Sequence, residues 1–160
     1  MTRFTNLVRN EFRTLRDYNL DLEFEQIRNP SDELQEFLWG QLREFSTSKH
    51  KDPRLEPFDY ISILAKDGDQ IVGGLLAIMY FRGMNLQCLW VHEKFRKQGL
   101  GKILLRKAEE AAKKFDCTVV YGNTFTFQAP DFYLKEGYKV FGTIEDYPKG
   151  YNCYYLVKYI

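Results

Sequence analysis

The sequence has 160 residues, of which 44% are hydrophobic and 16% aromatic, and its 23 basic and 22 acidic residues give a net charge of +1. This length and apolar content suit one globular domain with a sizeable core, and the near balance of charge argues against a nucleic-acid-binding protein. The longest apolar run, residues 71–81, is too short for a membrane-spanning helix of ~20 residues. The first residues lack the apolar core of a signal peptide. We therefore expect a cytoplasmic protein without a membrane or nucleic-acid partner.

The N-terminal third contains three predicted elements. Residues 1–20 have apolar positions near helical spacing, which predicts an N-terminal extension with an amphipathic helix. A single domain is expected from residue 21 to residue 160. It begins with residues 21–27, where apolar and acidic side chains alternate as in a half-buried strand. Ser31 is the predicted N-cap of the next helix, since its hydroxyl can accept from the first turn. The polar, proline-bounded residues 47–57 predict a loop or a short helix.

Three antiparallel strands are predicted in the middle of the chain. The sequence DGD separates the apolar runs 58–66 and 70–81, and Asp-Gly between two such runs is a strong hairpin signal. A second turn at residues 82–85 leads into a third strand, LQCLWV, at residues 86–91. The three strands therefore predict a meander.

The C-terminal half alternates helices and strands. A helix begins near Gly99, a buried strand covers residues 117–125, and a short helix covers residues 129–137, which end in a glycine suited to a C-cap. Residues 138–147 and 152–160 form a closing pair of strands. Because the strand, helix and strand around Gly99 require a parallel crossover, we predict an α/β fold with a mixed sheet.

The three cysteines are odd in number and widely spaced. Cys88, Cys117 and Cys153 form neither a zinc pattern nor a CxxC pair, so no metal site is predicted. Cys88 and Cys117 lie in or beside apolar runs, which favours buried free thiols over a catalytic thiol.

Residues 95–105, FRKQGLGKILL, join the strand at 86–91 to the next helix. A strand, a glycine-bearing turn and a helix N-terminus can bind phosphate, because free backbone N–H groups point out of the first helical turn. Glycine lets an anion approach the backbone closely, and Arg96, Lys97 and Lys102 add positive charge. The spacing matches neither GxxxxGK[ST] nor GxGxxG. From these residues alone, an anion site and an ordinary helix start with solvated lysines both remain open.

Two motifs lie on the predicted elements around this turn, RKQGLG at residues 96–101 and APDFYLKEGY at residues 129–138. Together and in this order they resemble the motifs of the GNAT family, the Gcn5-related N-acetyltransferases. The closer similarity is to a bacterial branch of small members with mostly unassigned substrates. The resemblance covers roughly residues 21–160. It implies a mixed, mostly antiparallel sheet that is splayed between its fourth and fifth strands and flanked by helices.

The resemblance also implies acetyl-CoA as the cosubstrate. In the family, the pyrophosphate of acetyl-CoA rests on backbone amides of the glycine turn, and the pantetheine arm pairs with the backbone of the fourth strand like an added strand. The positions of this sequence that match these contacts are Leu89, Trp90 and Val91 on the strand, Arg96, Lys97, Gln98, Gly99, Leu100, Gly101 and Lys102 at the turn, and Asn123, Ala129 and Phe132 beyond it.

Tyr133 matches the tyrosine that serves as general acid in many family members. A phenol can supply a proton to the departing thiolate, although a tyrosine packed into the core is the alternative. The general base is not identified by the sequence, and His92 and Glu93 at the strand end are the candidates. Thr126 stands where many members carry an asparagine, which places that asparagine's contact with pantetheine in doubt.

Aromatic side chains predict the acceptor pocket. Aromatic walls with a few carboxylates, here Glu145 and Asp146, suit a cationic amine. The function expected is N-acetylation of a small primary amine. The alternatives are a non-catalytic acyl-CoA sensor and an acetyltransferase for protein lysines or N-termini. The resemblance further makes a homodimer an expectation. The aromatic residues expected near the cleft are Tyr80, Phe81, Trp90, Phe125, Phe127, Tyr147 and Tyr151.

Overall fold

The computed structural model describes residue 22 and residues 24–50, 52–55 and 58–160, in two compact units that meet in sequence between Phe45 and Ser46. The helix expected over residues 1–20 lies outside the described residues, and the single domain over residues 21–160 stays a prediction. The regular elements of the described residues are α1 (Asp32–Lys49), β1 (Asp59–Asp67), β2 (Gln70–Tyr80), β3 (Gly83–Val91), α2 (Leu100–Lys114), β4 (Val119–Phe125), α3 (Pro130–Lys135), β5 (Lys139–Ile144) and β6 (Cys153–Tyr159).

The N-terminal unit confirms one prediction and corrects another. The backbone N–H of Leu34 donates to Ser31 Oγ at 3.2 Å, so Ser31 caps α1 as expected. The strand expected over residues 21–27 is wrong for the described residues 22 and 24–27, which form no strand. Their apolar side chains are about half exposed or more. Apolar and acidic residues alternate here, but the described part of the segment pairs with no strand and buries no face, so the alternation alone does not produce a strand. The loop or short helix expected from residue 47 begins later than predicted, because α1 continues to Lys49, and a short 3₁₀ helix follows at Pro53–Leu55.

In the part of the chain that the structure describes, six strands form one sheet in the order β1-β2-β3-β4-β6-β5. Only β3 and β4 pair in parallel, through the crossover helix α2, and the other neighbours are antiparallel. The mixed, mostly antiparallel sheet is therefore confirmed. No strand precedes β1 in the described residues. The two strands that flank the gap, which were expected to be the fourth and fifth, are therefore β3 and β4.

The two parallel strands pair along only part of their length. Their register runs from Gly83 opposite Val119 to Leu86 opposite Gly122, and then pairing stops. The two strands nevertheless continue to Val91 and to Phe125. The sheet is thus splayed at the expected place, and no strand of the described residues pairs with the backbone groups on the two edges of the gap.

The core lies between one face of the sheet and α2. Leu105, Ala108 and Ala112 of α2 are fully buried against strand residues that include Leu75 and Val120. Side chains alternate between the two faces of a strand, so Tyr121, Asn123 and Phe125 of β4 lie on the face opposite α2. None of the helices in the described part of the chain is long and apolar enough to cross a membrane.

A β-bulge changes the expected position of Cys88. The register between β2 and β3 shifts so that Leu76 pairs with Cys88 while Ala77 pairs with Leu86. One extra residue, Gln87, reverses the alternation, and Cys88 is exposed rather than buried. Among the three cysteines the prediction of buried thiols holds for Cys117 and is wrong for Cys88.

The second hairpin turn lies slightly earlier than predicted. Phe81 and Arg82, rather than residues 82–85, adopt left-handed backbone angles, with φ of 50° and 59°. The Arg82 guanidinium donates to the side chain of Asp116 at 3.1 Å, and its backbone carbonyl accepts from Thr118 at 2.8 Å. These contacts hold a turn that the sequence does not mark with glycine at its centre.

Candidate active site

One cleft of about 990 Å³ opens where β3 and β4 separate. Its walls come from the end of β3, the N-terminus of α2, the end of β4 and α3. The structure therefore brings four elements of the second unit together at the predicted position. The sequence-predicted residues that line the cleft are Leu89, Trp90, Val91, Arg96, Lys97, Gly99, Gly101, Lys102, Asn123, Ala129, Phe132 and Tyr133.

The N-terminus of α2 faces the cleft through glycines. Gly99 is the N-cap residue with φ of 88°, a left-handed angle that disfavours other residues, and no side chain caps the helix. The first turn contains no acidic residue. Free N–H groups, the positive end of the helix dipole and Lys97 at the rim together favour an anion here.

Several basic side chains of this turn already have partners. Arg96 Nε donates to the backbone carbonyl of Val91 at 2.9 Å, and Lys102 Nζ lies 3.2 Å from a carboxylate oxygen of Glu136. These contacts fasten the turn to β3 and to the end of α3. Backbone amides are therefore better placed than the Arg96 and Lys102 charges to meet an anion.

Two of the predicted contact residues do not line the cleft. Gln98 donates through Nε2 to the carbonyl of Lys94 at 2.7 Å, which closes the preceding turn. Leu100 points toward β2, where a Cβ added to Gly73 would lie 3.3 Å from its Cδ2. For these two residues, only backbone atoms remain available to a ligand.

Gly122 sets the apex of the gap between the parallel strands. A Cβ at this position would lie 3.0 Å from the backbone oxygen of Leu86 and 3.2 Å from its Cβ. Such contacts would force the strands to move. The glycine thus permits the close approach at the last paired position, and the strands diverge directly beyond it.

Tyr133 lies in the cleft between two other aromatic rings. Its ring makes edge contacts with Phe132 at 5.1 Å and with Tyr138 at 5.7 Å. Burial raises the pKa of the Tyr133 phenol above its usual value, and the neighbouring Cys88 adds to this. The phenol consequently stays protonated at neutral pH, as a proton donor requires.

A polar network fixes the end of α3 behind Tyr133. Lys158 Nζ contacts both carboxylate oxygens of Glu109 at 2.8 Å and the carbonyl of Glu136 at 2.9 Å. The Tyr138 hydroxyl donates to Glu109 at 3.1 Å, and burial followed by that carboxylate raises the Tyr138 pKa strongly. The Tyr138 N–H also donates to the Tyr133 carbonyl at 3.0 Å. The network thus holds the backbone of the candidate acid.

The candidate bases lie outside the lining of the cleft. His92 Nδ1 accepts from the backbone N–H of Lys94 at 3.3 Å, and Glu93 begins an exposed 3₁₀ turn. The carboxylates that do line the cleft are Asp131 and Glu136, and Glu136 is paired with Lys102. Glu136 carried no signal in the sequence beyond its charge.

Thr126, which stands where many family members carry an asparagine, is hydrogen-bonded to the backbone of Asn152. Its backbone N–H donates to the carbonyl of Asn152 at 3.0 Å, and its Oγ1 accepts from the Asn152 N–H at 3.3 Å. Nearby, Gln128 accepts from the Phe125 N–H at 2.9 Å. Sequence analysis missed Gln128 and Asn152, because each acts through backbone contacts that only the fold creates.

The expected acceptor aromatics separate into distinct groups. Tyr80, Phe81 and Phe125 do not line the cleft. The Tyr80 hydroxyl is hydrogen-bonded to that of Tyr121, and Phe81 packs against Tyr80. Trp90 and Phe127 do line the cleft. Tyr147 and Tyr151 do not line the cleft, but their rings contact those of Phe125 and Phe127.

Comparisons with known proteins agree with this geometry. A sequence model of the acetyltransferase (GNAT) family matches residues 22–138. The blasticidin-S acetyltransferase of Streptomyces morookaense is 34% identical over 100 residues, which cover 62% of this chain and 74% of that protein.

Solved structures show the same fold. The crystal structure of an acetyltransferase from Bacillus cereus is 32% identical with a TM-score of 0.74, covering 85% of this chain and 98% of that one. An aminoglycoside 6′-N-acetyltransferase complexed with coenzyme A has the same fold at 20% identity and a TM-score of 0.58, covering 86% and 97% of the two chains.

Proposed function

The chain belongs to the GNAT family of acetyltransferases, and we propose that it transfers an acetyl group from acetyl-CoA directly to the primary amine of a small molecule. Acetyl-CoA is the cosubstrate of that family, so the expectation of this cosubstrate is confirmed at the family level. The observation that carries the proposal is one cleft that contains both the glycine-bearing turn and the phenol of Tyr133.

The hydrogen-bonding groups of the cleft match the pyrophosphate and the pantetheine arm of acetyl-CoA. Backbone N–H groups between Gly99 and Gly101 would receive the pyrophosphate, with Lys97 as a supporting charge. The open edge of β3 at Leu89–Val91 would pair with the amides of the pantetheine arm, because pairing between the parallel strands has ended. The remaining proposed contacts are Asn123, Ala129 and Phe132.

When bound, acetyl-CoA supplies a thioester whose carbonyl carbon the amine attacks. Tyr133 would donate its proton to the sulfur that leaves, and the phenolate would regain a proton from the attacking nitrogen, which loses one as the amide forms. Its raised pKa keeps the phenol protonated before the transfer. The N–H of Val91 would hydrogen-bond the carbonyl oxygen as negative charge develops there.

The amine must be neutral when it attacks. The carboxylates in the lining of the cleft are Asp131, which is exposed to solvent, and Glu136, which is paired with Lys102. We therefore assign no side chain as general base, and the ammonium group loses its proton to water before transfer. A homodimer and a cytoplasmic location stay predictions.

The test combines binding with turnover. Calorimetry should detect acetyl-CoA binding, and a thiol-release assay over polyamines, aminoglycosides, amino acids, arylalkylamines and peptides should find turnover with a small amine. Tyr133→Phe should lower kcat by roughly 10²–10⁴-fold, because it removes the proton donor, while the Kd for acetyl-CoA changes little.

Tyr159→Phe is the matched control, since this tyrosine is 81% exposed on β6 and should leave kcat unchanged. Unchanged turnover of Tyr133→Phe would refute the role of Tyr133. Binding of acetyl-CoA without transfer to any amine would instead support the sensor, and transfer only to peptides would support a protein acetyltransferase.

A further inference from the structure

Four aromatic rings form a continuous cluster beside the cleft. Phe125 and Phe127 are stacked, with ring centres 5.3 Å apart and planes within 5°. Tyr151 contacts Phe127 edge to face at 4.9 Å, and Tyr147 contacts Phe125 at 5.8 Å. We call Phe125, Phe127, Tyr147 and Tyr151 the aromatic cluster.

The cluster is exposed to solvent. The exposed fractions of Phe127, Tyr147 and Tyr151 are 54%, 54% and 48%. Covering exposed apolar surface with a ligand is favourable, and adjoining exposed rings commonly mark a binding site. These three exposed rings, which are linked through Phe125, are therefore a surface that a ligand can cover.

Hydrogen bonds hold the backbone that carries these rings. In the turn between β5 and β6, the N–H of Tyr147 donates to the carbonyl of Tyr151 at 2.7 Å, and the N–H of Gly150 donates to Asp146 Oδ1 at 2.6 Å. Asn152 ties the same turn to Thr126 in the loop after β4. A ligand would consequently meet rings whose backbone is already ordered, which lowers the entropy cost of binding.

The cluster continues the wall of the cleft. Phe127 is both a lining residue and a member of the cluster. Phe125 lies on the sheet face opposite α2, since its neighbour Thr124 is 2% exposed on the core side. A ligand resting on the cluster would therefore approach the cleft from the face opposite the helix that carries the glycine turn.

Charge beside the rings favours a cation. Glu145 and Asp146 lie in the turn, with Lys149 as the one basic residue among residues 145–152. The Asp146 side chain is committed to Gly150, whereas Glu145 forms no ion pair with a described residue. Aromatic faces attract cations as well.

We infer that the acceptor is a primary amine carried on a planar aromatic ring, and that the aromatic cluster binds this ring. The inference rests on the proposed function, because it identifies the substrate class of the same site. Ring stacking rewards a flat, polarisable body, whereas a linear polyamine or a saturated ring offers no such face.

Two amines of similar size test the inference, 2-phenylethylamine and its saturated counterpart 2-cyclohexylethylamine. Calorimetry on the protein saturated with CoA should give a Kd about 3- to 10-fold lower for the phenyl compound. The thiol-release assay should show the same preference in KM with acetyl-CoA. Spermidine and a short lysine peptide complete the panel and should bind more weakly.

Tyr151→Leu should abolish the preference without changing the Kd for acetyl-CoA, because Tyr151 does not line the cleft and its backbone bonds do not need its ring. Phe127→Leu should also abolish it. Tyr159→Leu is the control. Tyr159 lies six residues along β6 from Cys153, which pairs with Phe125 of the cluster, so about 20 Å separates Tyr159 from that end of the strand. It should retain the full preference.

The outcomes separate this inference from the proposed function. Equal affinity for the two amines, or a preference that survives both cluster variants, would overturn the inference even if transfer occurs. Transfer to peptides or spermidine with no binding of the phenyl amine would also overturn it. Binding of the phenyl amine at the cluster with no transfer to any amine of the panel would contradict the enzyme and, with it, the assignment of this amine as the acceptor.

Discussion

At the scale of single residues, the side chains around the glycine turn divide their tasks. Arg96 donates to the Val91 carbonyl and Lys102 pairs with Glu136, so both fix the shape of the cleft. Tyr133 is different, because its side chain lines the cleft. Its hydroxyl forms no hydrogen bond with any of the described residues. Its proposed chemistry depends on remaining a protonated phenol.

The pH dependence of turnover tests that chemistry. With a small amine acceptor, kcat/KM should rise about tenfold per pH unit between about pH 7 and pH 9, because the neutral amine is the reactive form. The Tyr133 pKa is raised above its ordinary 10, so the phenol stays protonated across this range and no alkaline fall is expected within it. Initial rates at low acceptor concentration provide the measurement.

Tyr133→Phe provides the comparison, since it should lower the rate without changing the slope. Two acceptors with different amine pKa values should shift the profile by the same difference. A plateau that begins at one pH for both acceptors would show an enzyme base and contradict the proposed loss of the proton to water.

At the scale of elements, the N-terminus of α2 uses two glycines for different reasons. Gly99 needs its left-handed backbone, although a Cβ there would meet no atom within 4 Å. Gly101 has no such requirement, and a Cβ there would make ordinary contacts of 3.7 Å with Phe132 and 3.8 Å with Val91. Both neighbours line the cleft, so a methyl group at Gly101 would take space from a ligand.

Gly101→Ala should therefore fold well and bind poorly. We expect the free energy of unfolding to rise by about 0.5–1 kcal/mol, because alanine favours a helix, and the Kd for acetyl-CoA to rise by roughly tenfold, which corresponds to ~1.4 kcal/mol. Denaturant unfolding and calorimetry measure the two effects.

Gly99→Ala is the contrasting variant. It should lose about 1–2 kcal/mol of stability through backbone strain. Wild-type affinity in Gly101→Ala would mean that the ligand does not approach the backbone of this turn, and the pyrophosphate site would have to be abandoned.

At the scale of the whole molecule, the cleft is assembled from segments that lie apart in the chain. Its walls come from residues 86–91 and from residues between 123 and 136, and α2 between them supplies the helix N-terminus. A ligand in the gap would connect two halves of the sheet that do not pair beyond Leu86 and Gly122. Binding should then stabilise the second unit, residues 46–160, against unfolding.

Thermal unfolding measures this coupling. Acetyl-CoA at 100 times its Kd should stabilise the fold by about 2.7 kcal/mol and raise Tm by roughly 5–10 °C for a chain of this size. Tyr133→Phe should show a similar shift, because it keeps the binding contacts. ATP at the same concentration, which lacks the pantetheine arm, should shift Tm less. No shift with acetyl-CoA would contradict binding in the cleft.

Local sequence patterns predicted the elements with local causes. Ser31 capped its helix, Gly68 turned the first hairpin, and Gly99 began α2, since each depends on a few neighbouring residues. The strand expected over residues 21–27 is wrong for the described residues 22 and 24–27, and the expected burial of Cys88 is wrong as well. A strand needs a partner, and a bulge needs a neighbouring strand against which one residue is extra.

The sequence by itself determined the family, the mixed sheet and the position of the glycine turn, because those rest on motif spacing and on local backbone preferences. Only the tertiary structure decided that Arg96 bonds to Val91 and that Lys102 pairs with Glu136. It also decided that Gly122 lies at the apex of the gap and that the rings of Tyr147 and Tyr151 contact those of Phe125 and Phe127. These are contacts between residues distant in the chain, and their geometry follows from strand pairing and packing, which no local pattern encodes.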